Sequence, residues 1–197
     1  MRLGNICVTV MVALALSPLL DAQTLKSETT DGGSVVTDLG YNIQVNKGST
    51  LHRSFVNIND PAAPVRLIAA GVQAKYGRDR YSFAPVGDFS ASEPITALEV
   101  RFVLYDVFGG RMKTLSATEV TDFSPNMQLA LSQLGSWYAW ENEVSELLTV
   151  VAFVANARLA SGKLWRFNEK AVSEELAKLN LKVTSGALEP TKEERKQ

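Results

Sequence analysis

The sequence predicts a mainly β fold, an antiparallel β-sandwich with a C-terminal α-helix and one short internal helix. Three observations lead there. Between residues 34 and 167 most apolar residues alternate with polar ones, the period of a half-buried strand. Turn residues, either glycine or Asn/Asp-Pro, separate these segments at short intervals, as in an all-β domain. A sustained helical period appears only after Asn168, where Val172, Leu176 and Leu179 form a stripe.

The elements follow in chain order. Residues 1–22 carry Arg2, an apolar run over 6–16, the breaker Ser17-Pro18 and small Ala22. That order of parts reads as a secretory signal peptide, so the mature chain is expected to be periplasmic or secreted. Residues 23–33 are polar and read as a flexible arm. The β-sandwich domain with its terminal helix spans 34–182, and 183–197 reads as a flexible tail.

Within the domain, 35–36 and 41–45 alternate up to the turn Asn46-Lys47-Gly48. Residues 51–58 form a second strand closed by Asn59-Asp60-Pro61. A third strand over 65–76 places Ile68, Ala70, Val72, Ala74 and Tyr76 on one face, and a short fourth covers 80–86 after Gly77-Arg78-Asp79. The clearest strand is 95–108. Leu98, Val100, Phe102 and Leu104 share one of its faces. Glu99 and Arg101 lie on the other, so that end should meet water, whereas Val103, Tyr105 and Val107 make the far end apolar and in need of cover. Gly109-Gly110 turns the chain into a returning strand over 112–120, an antiparallel hairpin. Ser124 as N-cap, Pro125 at the first helical position and Gly135 as stop bracket the short internal helix. Residues 147–159 form a long buried strand, interrupted by Asn156 and Arg158 and so unlike a membrane span. Ser161-Gly162 turns into 163–167, and Asn168 caps the final helix.

Composition excludes several function classes. Apolar residues make up 46%, enough for a core, and the net charge is −1. Cleavage after Ala22 removes one charge of each sign and leaves that balance. The chain therefore has no electrostatic footprint for nucleic acid and no basic cluster for an anionic membrane. The single cysteine, Cys7, lies within the signal peptide. It is too early to be a lipid-anchor cysteine. The mature chain then has no disulfide, thiol nucleophile or thiolate metal site.

Phe102-Val103-Leu104-Tyr105-Asp106 has the form Phe-x-Leu-Tyr-Asp. It resembles the signature of the FxLYD family of small exported immunoglobulin-like sandwiches, over five residues of one strand. The resemblance implies an immunoglobulin-like form of the sandwich. It also implies that Phe102 and Leu104 pack inward ahead of a turn, here Gly109-Gly110. The function it implies is extracytoplasmic binding or structural support.

Candidate sites are few. His52, the only histidine, has Ser54 two residues along, but there is no Gly-x-Ser-x-Gly elbow and no orienting partner in the pattern. Asn57, Asn59 and Asp60 gather oxygen donors at a strand end, with too little charge for calcium; a turn is the better reading. Glu141, Glu143 and Glu146 read as an exposed acidic loop. Arg66, Arg80, Arg101, Arg158 and Arg166 are spread over several strands, some able to converge on one face and pair with Glu99 or Asp106. Trp137, Tyr138 and Trp140 are the strongest binding candidates. Clustered aromatics serve either as an end plug of a sandwich or as a stacking platform and interface hot spot. The expectation is an exported, non-enzymatic binding or structural module of the cell envelope. It needs no cofactor or metal, and it meets a protein partner through a sheet edge or the aromatic loop. The alternative is carbohydrate binding by Trp137, Tyr138 and Trp140.

Overall fold

The computed structural model describes residues 27–29, 35–38, 43–45, 49–51, 53–76, 80–120, 122–125, 128–130, 137–140, 146–184, 186–192 and 194, and side chains for 53–68, 88–120, 122–125, 146–184, 186–192 and 194. His52, Glu141 and Glu143 lie outside them, as does the expected signal peptide over 1–22. Strands account for 51% of the chain, which makes the fold mainly β. In order they are β1 (Ser27–Thr29), β2 (Val35–Asp38), β3 (Ile43–Val45), β4 (Ser49–Leu51), β5 (Ser54–Ile58), β6 (Val65–Tyr76), β7 (Arg80–Ala91), β8 (Ile95–Asp106), β9 (Arg111–Glu119), β10 (Gln128–Ala130), β11 (Trp137–Trp140), β12 (Leu147–Leu159) and β13 (Leu164–Arg166). Helix α1 spans Glu169–Lys178.

The longest apolar run, β12, is central in a seven-stranded sheet of order β1-β2-β5-β12-β8-β9, with β13 pairing the far half of β12 beyond β5. A strand at the centre of a covered sheet is buried on both faces and reads as a continuous hydrophobic run. The β12–β8, β8–β9, β2–β5 and β12–β13 ladders are antiparallel as expected, but β5 runs parallel to β12, from Ser54 opposite Thr149 to Ile58 opposite Phe153. A second sheet joins β7 to β6 on one edge and to β10 and β11 on the other. Strands β3 and β4 pair with each other.

Two apolar layers flank the large sheet. On one face Phe55, Leu98, Val100, Phe102, Leu104, Val150 and Val154 meet Val65, Leu67, Phe89 and Ala91 of the second sheet. On the other, Val56, Val103, Tyr105, Val151 and Phe153 meet Val172 and Leu176 of α1, together with Leu188. The cover demanded by the apolar far end of β8 is thus supplied by α1 and the chain beyond it. Asn168 caps α1 as its sequence foretells, its side-chain oxygen accepting from the N–H groups of Lys170 and Ala171 at 3.1 and 3.3 Å. The helix ends on Asn180 in the left-handed region (φ 59°), with Leu181 N–H donating back to Leu176 C=O, so asparagine takes the place more often given to glycine.

Four expectations change. The short internal helix expected at 124–135 is absent where the chain is described: 128–130 is strand β10, paired with β7. Local capping signals lose to tertiary pairing, because Phe123 is already tied to Ile95 by two backbone hydrogen bonds and rests edge-on against Phe89, 5.4 Å between ring centres. That leaves the chain extended alongside β7. Second, Ile68 is exposed, because Val65 and Leu67 hold the buried face at the start of β6 and alternation turns residues 66 and 68 to the other. Third, Arg101 is 4% exposed rather than bathed in water. Fourth, the expected tail contributes Ala187 and Leu188 to the interior. Among the described residues no helix is long and apolar enough to cross a membrane.

Candidate functional site

Where α1 stops covering the large sheet, a polar end of that face remains open. Its floor is built by register. Thr118 of β9 lies opposite Glu99 of β8, Glu99 opposite Asn156 of β12, and Asn156 opposite Arg166 of β13. The next row runs from Ser116 to Arg101 to Phe153. A β-bulge makes the first row possible. Val154 pairs with Val100 and Asn156 with Glu99, so Ala155 is the extra residue of β12. Without that insertion strict alternation would turn Asn156 into the apolar layer.

Phe167, Glu169 at the start of α1, and Glu189 wall the floor, with Leu164 at its rim, giving an open groove of 640 Å³. Arg101 anchors it. Its Nε donates to Glu99 Oε1 at 2.9 Å, and its Nη1 donates to Leu188 C=O at 3.2 Å and Glu189 Oε1 at 3.1 Å. The guanidinium lies over the Phe167 ring, 5.3 Å from its centre, and Phe167 leans on Phe153, 5.0 Å between centres. Arginine suits this place because its flat, weakly hydrated head stacks on an aromatic face while its donors fork to several acceptors. Asn156 Nδ2 donates to the other Glu99 oxygen. Both oxygens of Glu99 are therefore engaged, and this half-buried carboxylate holds the buried charge of Arg101.

A second arginine fastens the C-terminal segment beside this groove. Arg111 Nε donates to Ala187 C=O at 2.8 Å, and its Nη2 donates to both oxygens of Glu194, at 2.8 and 3.1 Å. Glu194 also accepts from the Thr114 N–H of strand β9 and from the Thr191 N–H, while its own N–H donates to Thr191 Oγ1. Thr191 and Glu194 thus form a reciprocal capping box. Burial alone would raise the Glu194 pKa, but those two N–H groups and the Arg111 guanidinium outweigh it and hold the carboxyl below its usual range.

The residues singled out in the sequence are distributed as follows. Trp137, Tyr138 and Trp140 lie in β11, whose backbone pairs with residues 80–83 of β7. Asn59 is consumed by the Leu67 backbone, which it meets at both amide ends (2.9 and 3.1 Å), and Asp60 closes a turn on Ala62 N–H. Ser54 shares a hydrogen bond with Thr149. Glu146, Arg66 and Arg158 are exposed. Asp106 accepts from Phe108 and Gly110 N–H, both at 2.8 Å, so the last residue of the Phe-x-Leu-Tyr-Asp run shapes the β8–β9 turn. Of the five arginines, Arg101 and Arg166 converge on the groove, and Arg101 takes Glu99 as the sequence allowed. Sequence reasoning passed over Ser116, Thr118, Asn156 and Glu189 as site residues. The available signal was the polar end of an otherwise apolar β8 face.

Comparison with family models, curated proteins and solved structures found no match for this chain.

Proposed function

We propose that this chain is an exported, non-enzymatic binding module of the cell envelope, an immunoglobulin-like sandwich, and that the groove over Arg101 is its recognition surface. The observation that carries this reading is the cross-strand row Thr118, Glu99, Asn156 and Arg166, fixed by a bulge and by the Glu99–Arg101 ion pair. Binding sites gain from such preorganisation, because the ligand then orders few protein groups. The lining also favours one ligand type. The cores of protein–protein interfaces are rich in aromatics and poor in carboxylates. Here the middle is carboxylate, amide, hydroxyl and guanidinium, which suits a polyhydroxylated ligand such as an envelope polysaccharide. The sugar reading is therefore proposed for the groove, with Trp137, Tyr138 and Trp140 as the alternative site.

The test is retention of the mature protein on purified envelope polysaccharide. It compares the wild type with Ser116→Trp, which fills the groove from an exposed position, and with Trp137→Ala/Trp140→Ala. Retention lost only in Ser116→Trp supports the assignment. Retention unchanged by Ser116→Trp, or a co-purifying protein captured equally by that variant, overturns it.

A further inference from the structure

Arg101 has a donor to spare. Its Nε and Nη1 are occupied, while its Nη2 has no acceptor among the described residues. The Arg101 side chain, 5% exposed, lines the groove. The carboxylate on its Nη1 is of a different kind from Glu99. The Glu189 side chain is 54% exposed, against 20% for Glu99, and it enters from the C-terminal segment rather than from the sheet. Arg166, exposed, supplies a second cation at the end of the Thr118–Arg166 row. Glu169 lies in the first turn of α1, where the helix dipole already favours a negative charge.

Resting on the reading of the groove as a binding surface, we propose that its ligand is a carboxylate-bearing polysaccharide, and that the Glu189 side chain occupies the ligand carboxylate's place on Arg101 until it is displaced. The exchange puts one carboxylate in place of another on Nη1, so no hydrogen-bond donor already engaged on the Arg101 guanidinium is stripped when Glu189 leaves. Leu188 C=O remains on Arg101 when Glu189 leaves, so the segment stays docked. The four strands of the row span three steps of about 4.8 Å, roughly 14 Å in all. That is room for several sugar rings, with Ser116, Thr118 and Asn156 beside their hydroxyls and Arg166 within reach of a second carboxylate.

The experiment is a calorimetric titration of the full mature chain with an oligogalacturonate, set against a neutral malto-oligosaccharide of equal length. The proposal expects the oligogalacturonate to bind the more tightly, and to bind more weakly as salt rises. Glu189→Gln removes the internal competitor and tightens binding roughly fivefold; Arg166→Gln, at an exposed site that leaves folding intact, weakens it roughly fivefold. Equal binding of the neutral oligomer, or Glu189→Gln binding no tighter in a chain whose circular dichroism is unchanged, overturns the proposal. If Ser116→Trp abolishes polysaccharide retention while Glu189→Gln and Arg166→Gln leave the acidic-to-neutral preference unaltered, the groove reading survives and the carboxylate assignment fails. If Ser116→Trp changes nothing, both fail.

Discussion

Leu188 is the residue whose truncation most directly tests how the second layer is closed. It lies nine residues before Gln197 in a stretch that looks polar and loose, yet it is 0% exposed and packs with Val103, Tyr105, Val151, Val172 and Leu176. Its neighbours lock it there: Ala187 C=O accepts from Thr114 Oγ1 at 2.7 Å and Arg111 Nε at 2.8 Å, and Leu188 C=O accepts from Arg101. A buried leucine cut to alanine loses its transfer free energy and leaves a cavity, a cost of about 3 kcal/mol within the usual 2–5 range. For a domain of this size that lowers Tm by roughly 6–12 °C. With a urea m-value of about 2 kcal/mol/M it moves the midpoint by roughly 1.5 M. Urea unfolding of Leu188→Ala beside Leu164→Ala, whose side chain is 42% exposed at the groove rim, makes the comparison internal. The reasoning is refuted if Leu188→Ala unfolds within about 0.5 kcal/mol of wild type, the ordinary effect of a surface substitution.

Two further outcomes follow from the same layer. Glu194 has a folded pKa below its unfolded value, so its contribution to stability is fully present above about pH 4.3 and is lost as pH falls through the folded pKa. Glu194→Gln should flatten that part of the dependence between pH 6 and pH 3 in urea midpoints, and an unchanged slope would show that the Arg111 contact contributes nothing. Tyr105 is 0% exposed, its hydroxyl has no hydrogen-bond partner among the described residues, and burial pushes its pKa up to about 12 against the opposing pull of Arg111. Its share of stability is complete below about pH 10 and is lost as pH rises through about 12. Tyr105→Phe removes an unsatisfied polar atom and should leave stability at pH 7 unchanged or raised by up to about 1 kcal/mol. A loss of more than 1 kcal/mol in thermal unfolding would mean that the hydroxyl does have a partner.

Much of this architecture is already determined by the sequence alone. The period of two over Leu98, Val100, Phe102 and Leu104 places all four in the layer between the sheets. The apolar run becomes β12 with the bounds its pattern marks, Leu147–Leu159. The Gly109-Gly110 turn makes a hairpin, and Asn168 starts a helix whose Val172 and Leu176 are buried. These signals are local. Each depends on the conformational preference of a few adjacent residues, or on one face of one element seeking cover, and both are properties of the chain written in one dimension.

Tertiary structure decided the rest. An extra residue at Ala155 turns Asn156 out of the apolar layer and beside Glu99, a matter of register between two strands that neither strand's own pattern records. Strand β10 forms because β7 offers it an edge, against the helix that Ser124 and Pro125 favour in isolation. Arg101 reads as a solvent-facing charge until Phe167, Leu188 and Glu189 arrive from 66 to 88 residues further along to bury and satisfy it. The groove exists only where α1 and the C-terminal segment stop covering the sheet. Its composition depends on which distant residues come to rest against one another, because the free energy of burying a charge is set by the partners that surround it and not by its sequence neighbours.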